Sequence, residues 1–322
     1  MIVTVTPNPA VDKVVVVHGF RAASINRATV ERIDIGGKGI NVAQNLARLG
    51  CEVVATGFLG SADAHGIVPK LAAAGIRSEF VPVPGEVRLN LKILDPATGQ
   101  ETEINETGPT VAAEQWQSLV DKVRLLARQC SVMVFSGSLP PGAPDDIYAR
   151  CIEIATAAGA KTVLDTTGAA LRSGIGAAPD LVKPNRAEAE ELLGMRISSS
   201  ADHVFAARRL LDFGARTVVL SLGVGGALSA SASGMWYAIP PELTVRNTIG
   251  AGDAMVAALA FGLSQSQSAP EVLRLATALS SAAAASAAPV PPLDLFQRML
   301  PHVTIEAASL GESSADAPEV LS

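Results

Sequence analysis

The sequence predicts a doubly wound α/β fold, in which helices flank a mostly parallel sheet and a small β-strand lid stands apart. Apolar runs of strand length alternate with helical patterns over most of the 322 residues, and glycine closes many helical segments. Two stretches, about 13–35 and 86–107, instead carry strand patterning with polar turns and leave no room for helices. A chain of this length can bury one large core. We therefore expect a single domain over 1–303 that carries the lid.

The alternation can be followed in order along the chain. Strand-like and helix-like segments succeed one another as "VVATGF", "GIVPKLAAAG", "SVMVFSG", "DDIYARCIEIATAAG", "KTVLD", "LVKPN" with "RAEAEELLG", and "TVVLSLG". The small-residue stretch 276–290 is interrupted by serine, which predicts a buried helix rather than a membrane span. Residues 304–322 are acidic, rich in Ser and Ala and without aromatic residues, which predicts a flexible tail.

The charge balance narrows the classes of partner. A formal net charge of −6 offers no broad attraction for nucleic acid or an anionic membrane, so we expect neither. An anionic substrate must then be held by a few placed cations. The N-terminus shows no basic region followed by an apolar run and a cleavage site, which predicts a cytoplasmic protein. The three cysteines and four histidines follow no disulfide or metal-site spacing, so reduced thiols are expected.

The first candidate site is a glycine loop at the start of a predicted helix. Gly36, Gly37 and Gly39 surround Lys38, and "INVAQNLARLG" continues with apolar residues at helical spacing. Glycines there let a ligand approach backbone N–H groups at the positive end of the helix dipole. Because Lys38 is followed by glycine rather than Ser or Thr, the loop is not a Walker A motif. The sequence alone favours equally an anionic or hydroxyl-rich ligand and a structural turn with a solvated lysine.

The second candidate is a similar helix start within 245–263. Gly250 and Gly252 precede Asp253, and a long apolar helix follows. An aspartate in a first turn is often only a favourable charge at the helix dipole. The glycines, however, free backbone amides to form an anion cradle, beside which a carboxylate can accept a hydroxyl proton. Two helix starts of this kind predict two ligands.

Three further motifs allow both a structural and a functional interpretation. Asn185 and Glu188 have the spacing of a capping box, which alone explains them; alternatively, with Lys183 they face a phosphate–Mg²⁺ cluster. The residues after Gly226 alternate like a strand, which disfavours a dinucleotide-binding turn but allows a glycine turn lining a nucleotide pocket. Ser136 and Ser138 follow a strand end, where either ligand contacts or ordinary turn chemistry is expected.

Eight motifs in order resemble the ribokinase-like (PfkB) carbohydrate kinases, and within them the branch of 1-phosphofructokinase and tagatose-6-phosphate kinase. The motifs span roughly residues 1–300 and are "TPNPAVD", "GGKGINVA", "RLNLKI", "TEINETGP", "SGSLPPG", "LVKPNRAE", "SLGVGGAL" and "NTIGAGDAM". Each motif alone is weak, but their order is specific. The resemblance implies a kinase domain over 1–303, a lid that commonly mediates a homodimer, and ATP with Mg²⁺ as cofactors.

The resemblance also implies residue roles. Asp253 is similar to the general base, and the backbone of Gly250, Ala251 and Gly252 to the anion hole for the transferring phosphoryl group. The side chains or backbone implied to contact the sugar and its phosphate belong to Asp12, Arg27, Gly37, Lys38, Asn41, Arg88 and Ser138. Those implied to contact the nucleotide belong to Lys183, Asn185, Ser221, Gly223 and Gly226. Glu188, together with Asn185, is implied to serve the metal through water.

The expected activity is ATP-dependent phosphorylation of a ketohexose phosphate. Lys38 points to a phosphorylated sugar, because kinases of free sugars need no cation there, and the motif spelling favours fructose 1-phosphate. Tagatose 6-phosphate and fructose 6-phosphate stay open as substrates. A non-catalytic sugar-phosphate sensor is the alternative from another class, and a nicotinamide oxidoreductase is disfavoured. The stretch "AAAASAAPVPPLD" is shorter and richer in proline than in many relatives, which leaves the adenine pocket open.

Overall fold

The computed structural model describes residues 1–61, 66–246, 249–286, 288 and 290–308. Within this part of the chain lie an 11-stranded sheet and a separate 4-stranded sheet. The strands are β1 Ile2–Thr6, β2 Ala10–Val16, β3 Thr29–Gly36, β4 Val53–Gly60, β5 Arg77–Ser78, β6 Val81–Val83, β7 Arg88–Asp95, β8 Gln100–Asn105, β9 Val132–Ser136, β10 Lys161–Asp165, β11 Leu181–Val182, β12 Thr217–Ser221, β13 Ala227–Ser231, β14 Gly234–Ile239 and β15 Thr304–Ala307. The helices are α1 Lys38–Arg48, α2 Ile67–Ala73, α3 Ala113–Ala127, α4 Ile147–Ala157, α5 Gly168–Gly176, α6 Arg186–Leu193, α7 Ser200–Asp212, α8 Ala251–Ser264, α9 Ala269–Ala285 and α10 Leu293–Met299.

The large sheet has the order β15-β14-β13-β12-β11-β10-β9-β1-β4-β5, with β6 paired to β4. The strands from β5 to β12 pair in parallel, and β12 to β15 pair in antiparallel. The chain passes from β1 to β4 on one side and later returns to β9 on the other. This reversal is a topological switch point, where the carboxyl ends of parallel strands open a crevice.

Helices cover both faces of this sheet, as the strand composition requires. Strands β1, β4 and β9 are fully buried apolar runs, which is typical of parallel strands covered on both sides. One core cluster packs helices α3 to α7 on one face, and the other packs α1, α2 and α8 to α10 on the opposite face. The predicted doubly wound α/β class is confirmed.

The lid predicted from the two irregular stretches is the 4-stranded sheet, with the order β3-β2-β7-β8. Strands β2 and β7 pair in parallel in its centre, and the outer pairs are antiparallel. A small core of Val15, Val17 and Ile93, with Phe20 and Leu91 packed against it, stabilises one end of the lid. Strands β2 and β3 follow β1, and β7 and β8 follow β6, which pairs with β4, so the lid stands at the switch point of the large sheet.

The predictions for the stretch 276–290 and for the C-terminal tail can be compared with the structure. The stretch 276–290 begins inside α9, whose face towards α8 is buried, and none of the described helices is long and apolar enough to cross a membrane. The structure differs from the predicted tail boundary at 304, since Thr304–Ala307 forms β15 and pairs with β14. Pairing with β14 satisfies the backbone N–H and C=O groups of β15. The prediction of a tail considered only the polar side chains of this segment. Residues 309–322 lie outside the described residues.

Candidate active site

The site lies in a cavity of about 1440 Å³ between the lid and the carboxyl ends of the parallel strands. Helices α1 and α8 both begin at this cavity, and α1 packs against α8. The lid contributes charged and amide side chains from β2 and β7, while the loops after β10, β11 and β12 supply the opposite wall. The two glycine-rich helix starts of the sequence therefore face one shared space.

A buried hydrogen bond joins the two helix starts. Asn41, in the first turn of α1, donates from Nδ2 to Oδ2 of Asp253, in the first turn of α8, at 2.8 Å. Both side chains are buried, with 5% and 7% of their surfaces exposed. This hydrogen bond orients the Asp253 carboxylate through Oδ2. It leaves the other carboxylate oxygen, Oδ1, without a bond to Asn41.

The surroundings of Asp253 make its carboxylate more basic than usual. Burial raises its pKa, the nearby Asp165 carboxylate raises it further, and the resulting value is about 6. The hydrogen bond from Asn41 and the ammonium groups of Lys38 and Lys183 oppose this shift. A carboxylate that is ionised at neutral pH but has an elevated pKa is suited to accept a proton.

Asp165, which the sequence analysis did not select, lies at the centre of the charged groups. It ends β10 and is fully buried, with its carboxylate 3.1 Å from Lys183 Nζ and 3.6 Å from Lys38 Nζ, and it accepts a hydrogen bond from Ser136 Oγ at 3.2 Å. Burial alone would raise its pKa, but Lys183 and Lys38 outweigh this effect and hold the pKa below the ordinary value. An acidic residue at the carboxyl end of the buried strand "KTVLD" was the signal that could have found it.

Lys38 lines the cavity, as predicted, and its ionic contacts are with carboxylates. Its Nζ is 3.6 Å from Asp165 Oδ2 and 3.6 Å from Glu188 Oε1, on the Asp253 side of the cavity. Asp165, above all, raises the pKa of Lys38 well above its ordinary value, burial opposes this, and Glu188 and Asp253 add to the rise. The described contacts therefore place Lys38 among the carboxylates rather than with Arg88 in the lid.

Asn185 and Glu188 form the capping box that their spacing predicts. Glu188 N donates to Asn185 Oδ1 and Asn185 N donates to Glu188 Oε2, each at 2.8 Å, which completes the capping box of α6. The second carboxylate oxygen, Glu188 Oε1, faces Lys38 in the cavity. The capping box thus occupies one carboxylate oxygen of Glu188, and the ion pair with Lys38 engages the other.

The donor set fits a magnesium ion that is held mainly by phosphates. Among the described residues, no group of three or more Asp, Glu, His or Cys side chains forms a metal site by itself. Oxygens of Asp165 and Glu188 nevertheless approach one point, since each lies 3.6 Å from Lys38 Nζ. Magnesium prefers oxygen ligands and usually keeps several waters beside one or two carboxylates and substrate phosphates.

The lid side of the cavity is built around Asp12. Asn90 Nδ2 donates to Asp12 Oδ1 at 2.8 Å, and burial raises the pKa of Asp12 despite this bond and the nearby Arg88. A Cβ added at Gly36 would lie 2.0 Å from Asp12 Oδ2, so glycine is needed there to admit the carboxylate. Arg88 lines the same wall, where its guanidinium reaches Asn8 O at 3.3 Å and Asn90 Oδ1 at 3.4 Å. The sequence analysis selected only Arg88 from the motif "RLNLKI" and therefore missed Asn90.

Two predicted substrate residues do not line the cavity. Arg27 is exposed in the loop between β2 and β3, and the start of that loop is tied to the lid because Gly19 N and Phe20 N donate to Asp95. Ser138 is exposed at the cavity margin, where its hydroxyl lies 3.5 Å from Asn8 Nδ2. The structure of a single chain thus brings neither to the position that the sequence analysis expected.

The wall opposite the lid carries the predicted nucleotide residues. Ser221, Gly223 and Gly226 line the cavity with Lys183 and Asn185, and Asn185 pairs with Ser221 in an isolated β-bridge. Gly226 has φ 86°, and a Cβ there would lie 1.9 Å from Ala238 O, so another residue would displace the turn. Strand β13 follows this turn, as expected from the alternating pattern.

The outer part of this wall is largely apolar. Its lining residues include Val224, Ile239, Pro240, Pro241, Leu243, Val245 and Met255, together with Ser280, Ser281 and Ala284 from α9. An apolar slot with a few hydroxyls suits a flat aromatic base. The sequence analysis made no prediction of the adenine pocket from the stretch "AAAASAAPVPPLD". Residues 287 and 289 of this stretch lie outside the described residues.

Several known proteins are similar to this chain over most of its length. The family model of pfkB family carbohydrate kinases matches residues 7–294. The chain is 38% identical to the 1-phosphofructokinase of Rhodobacter capsulatus, covering 95% of this chain and 97% of that protein. It is 36% identical to the 1-phosphofructokinase of Escherichia coli K12, with 88% and 90% covered. The crystal structure of phosphofructokinase-2 from Escherichia coli in complex with fructose-6-phosphate superposes with a TM-score of 0.86 at 29% identity, covering 94% of this chain and 98% of that one.

Proposed function

This chain belongs to the pfkB family of carbohydrate kinases, and we propose that it transfers the γ-phosphoryl group of ATP to fructose 1-phosphate, giving fructose 1,6-bisphosphate. The observation that carries the proposal is the buried Asp253 at the start of α8, oriented by Asn41 beside a glycine-led helix N-terminus. The relatives at 38% and 36% identity are named 1-phosphofructokinase, which supports the choice of acceptor.

Asp253 acts as the general base in this account. Its carboxylate accepts the proton of the attacking sugar hydroxyl while Asn41 holds the other oxygen in place. The backbone amides of 250–252 lie at the positive end of α8 and receive the negative charge of the transferring phosphoryl group. Phosphoryl transfer asks a protein mainly for such positioning and electrostatic stabilisation.

The lysines on this side of the cavity complement the amides. Lys183 Nζ lies 3.8 Å from the position that a Cβ of Gly252 would take, so a fixed positive charge borders the amide cradle. Lys38 lies nearby with Asp165 and Glu188. We assign both lysines to the phosphates of the nucleotide and of the group in transfer. This assignment moves Lys38 from the substrate phosphate, where the sequence analysis had placed it.

The sugar phosphate is assigned to the lid side. Asp12 and Asn41 offer hydrogen-bond partners to sugar hydroxyls, with the backbone at Gly37 open between them. Arg88 is one of several lid cations that line the cavity, and its guanidinium contacts Asn90 and acts on Asp12. A guanidinium suits a phosphate because it presents several N–H donors in a plane. Arg88 therefore is assigned to the phosphate that the acceptor already carries.

The nucleotide is assigned to the wall of Ser221, Gly223 and Gly226, with Asn185 and Lys183 towards its phosphates. Glu188 Oε1 and Asp165 Oδ2 would serve the magnesium ion through waters. When bound, magnesium would neutralise charge on the phosphates and orient them. Because ATP is the donor, a cytoplasmic location is part of the proposal.

A homodimer through the lid is also proposed. Asp12, Asp34, Asn90 and Asn105 form a cross-strand row that lines the cavity. Ile33 and Ile104 are the next residues to Asp34 and Asn105 along β3 and β8, so both isoleucines lie on the opposite face of the lid. Ile33 and Ile104 are 45% and 54% exposed, and Ile25 in the neighbouring loop is 95% exposed. A second copy would cover this face and bring the exposed Arg27 near a partner's lid. Sedimentation of the wild type and of Ile33→Lys tests this assembly, because a charged face should yield monomers.

Two other functions are tested together with the main one. Phosphorylation of fructose 6-phosphate is favoured by the similarity to phosphofructokinase-2, and a sensor would keep the fold without the chemistry. The test measures ADP formation with fructose 1-phosphate, fructose 6-phosphate, tagatose 6-phosphate, fructose and ribose, compared by kcat/KM. We expect the highest kcat/KM for fructose 1-phosphate. A preference for fructose 6-phosphate or tagatose 6-phosphate would change the assigned substrate, and no turnover would favour a sensor.

A further inference from the structure

The ammonium group of Lys38 lies between the carboxylates of Asp165 and Glu188, both of which are buried. Its Nζ is equally distant, at 3.6 Å, from Asp165 Oδ2 and Glu188 Oε1. Asp165 is fully buried and Glu188 is 8% exposed. These are the same two oxygens that fit a hydrated magnesium ion, whose own ligands lie at about 2.0–2.1 Å. The ammonium and the divalent cation therefore compete for one place.

The two lysines of this cluster differ in how firmly they are held. Lys183 is 4% exposed and its Nζ lies 3.1 Å from Asp165 Oδ1. Lys38 has a side chain that is 36% exposed to the cavity, and its contacts to both carboxylates are longer. A lysine ammonium sits on a flexible four-carbon stem and can change partners. Lys183 is thus the fixed cation of the cluster, and Lys38 is the movable one.

The charge of the cluster explains why a movable cation is needed. Asp165, Glu188 and Asp253 are buried and each acts on the Lys38 ammonium, and an uncompensated buried carboxylate is costly. Lys38 compensates Asp165 and Glu188 through its two ion pairs. When a nucleotide enters, its phosphates offer Lys38 a stronger anionic partner, and the two carboxylate oxygens become available.

On the basis of the proposed function, we propose that Lys38 is a built-in counter-cation. It holds the divalent-metal position in the nucleotide-free protein and moves to the phosphates when the metal nucleotide binds. Free divalent cation should then bind the nucleotide-free protein weakly, because it must displace Lys38. Binding of metal and nucleotide is coupled through this one side chain, and such coupling is reciprocal.

The test is a titration of the nucleotide-free protein with Mn²⁺, with free Mn²⁺ measured by electron paramagnetic resonance. Lys38→Met should tighten Mn²⁺ binding by roughly 5- to 150-fold, the usual range of coupling between two ligands. Lys38→Gln should also tighten it, while Lys38→Arg, which keeps the charge, should resemble the wild type. Arg88→Met removes a positive charge from the opposite wall and should change Mn²⁺ affinity by less than about twofold, if the effect is local.

Thermal unfolding of each variant verifies that it is folded before the titration is interpreted. Equal Mn²⁺ affinity in the wild type, Lys38→Met and Lys38→Gln would overturn the proposal. Tightening by Arg88→Met to the same extent would overturn it as well, because the effect would then be one of general charge. ADP formation from fructose 1-phosphate is measured on the same wild-type preparation. Turnover with no Mn²⁺ effect rejects only this inference, whereas an Mn²⁺ effect without turnover rejects only the proposed function.

Discussion

Asn41 Nδ2 lies 2.8 Å from Asp253 Oδ2, and this bond spans 212 residues of the sequence. It fastens the first turn of α1 to the first turn of α8, so the two helix N-termini share one cavity. A neutral donor of this kind orients a buried carboxylate without neutralising it. In the proposed function, this bond places the base Asp253 and two sets of backbone amides beside two anionic substrates.

Asp253→Asn should abolish most of the catalysis. The amide cannot accept the proton of the attacking hydroxyl, so kcat should fall by about 10² to 10⁴, the usual contribution of a general base. The KM values should change much less, since binding groups remain. Steady-state kinetics with fructose 1-phosphate and Mg-ATP measure both quantities. An Asp253→Asn variant with kcat within tenfold of the wild type contradicts the assignment.

The pH dependence of activity should report the ionisation of Asp253. Because its pKa is about 6 and the base must be deprotonated, kcat/KM should fall as the pH drops below about 6 and stay level above it. The pH profile of kcat/KM for fructose 1-phosphate checks this. A profile that stays level down to pH 5 would show that no group of this pKa limits the reaction.

The same group should lower stability at neutral pH. Its pKa is raised in the folded protein, so the native state binds more protons than the unfolded one between pH 4 and 6, and stability falls as the pH rises through this window. Asp253→Asn lacks this penalty and should be more stable than the wild type at pH 8 by roughly 3 kcal/mol, at about 1.4 kcal/mol per pKa unit. Denaturant unfolding should show the difference shrinking from pH 6 to pH 4. A less stable variant at pH 8 would contradict the burial argument.

Substitutions of Arg88 and Lys38 should affect different kinetic constants, KM for the first and kcat for the second. Arg88→Met removes a charge-assisted contact to the acceptor phosphate, worth about 1.5–3 kcal/mol, so the KM for fructose 1-phosphate should rise roughly 10- to 150-fold. Lys38→Met should mainly lower kcat, because Lys38 lies with the groups around Asp253. Arg48→Met, on the exposed last turn of α1, is the matched control. A rise in KM for fructose 1-phosphate with unchanged kcat in Lys38→Met would return Lys38 to the substrate phosphate.

Asn90 should act as a positioning residue for Asp12. Asn90→Ala removes the donor at 2.8 Å, which lets the carboxylate turn and raises its pKa further, since this bond lowers the pKa. The KM for fructose 1-phosphate should increase about tenfold, as for a lost hydrogen bond to a charged group, and more steeply at acidic pH. Thr102→Ala, three cross-strand pairs away from Asn90 in the lid, is the control. An unchanged pH dependence of KM would mean that Asn90 does not act through Asp12.

The sequence predicted the fold and the helix starts because these depend on local patterns. Apolar runs, helical spacing and glycine positions are local, and they placed both cavity-facing helix starts and the lid correctly. The spacing of Asn185 and Glu188 likewise predicted the capping box. In each case the decisive contacts lie within a few residues of one another.

The sequence did not predict which side chains meet across the cavity. Asp165 belongs to "KTVLD", whose composition indicates only a strand, and its role follows from contacts with Lys38 and Lys183 elsewhere in the chain. The contacts of Lys38 with Asp165 and Glu188 likewise join distant parts of the chain. Arg27 is not among the residues that line the cavity, and β15 pairs with β14.

The identity of the phosphorylated product tests the central claim most directly. Wild-type protein, Asp253→Asn, fructose 1-phosphate and Mg-ATP are sufficient, with the products followed by ³¹P nuclear magnetic resonance. The account predicts one fructose 1,6-bisphosphate for each ADP with the wild type, no ADP without the sugar phosphate, and almost no product with Asp253→Asn. ADP formed without a new phosphate ester, or the same rate with Asp253→Asn, would contradict it.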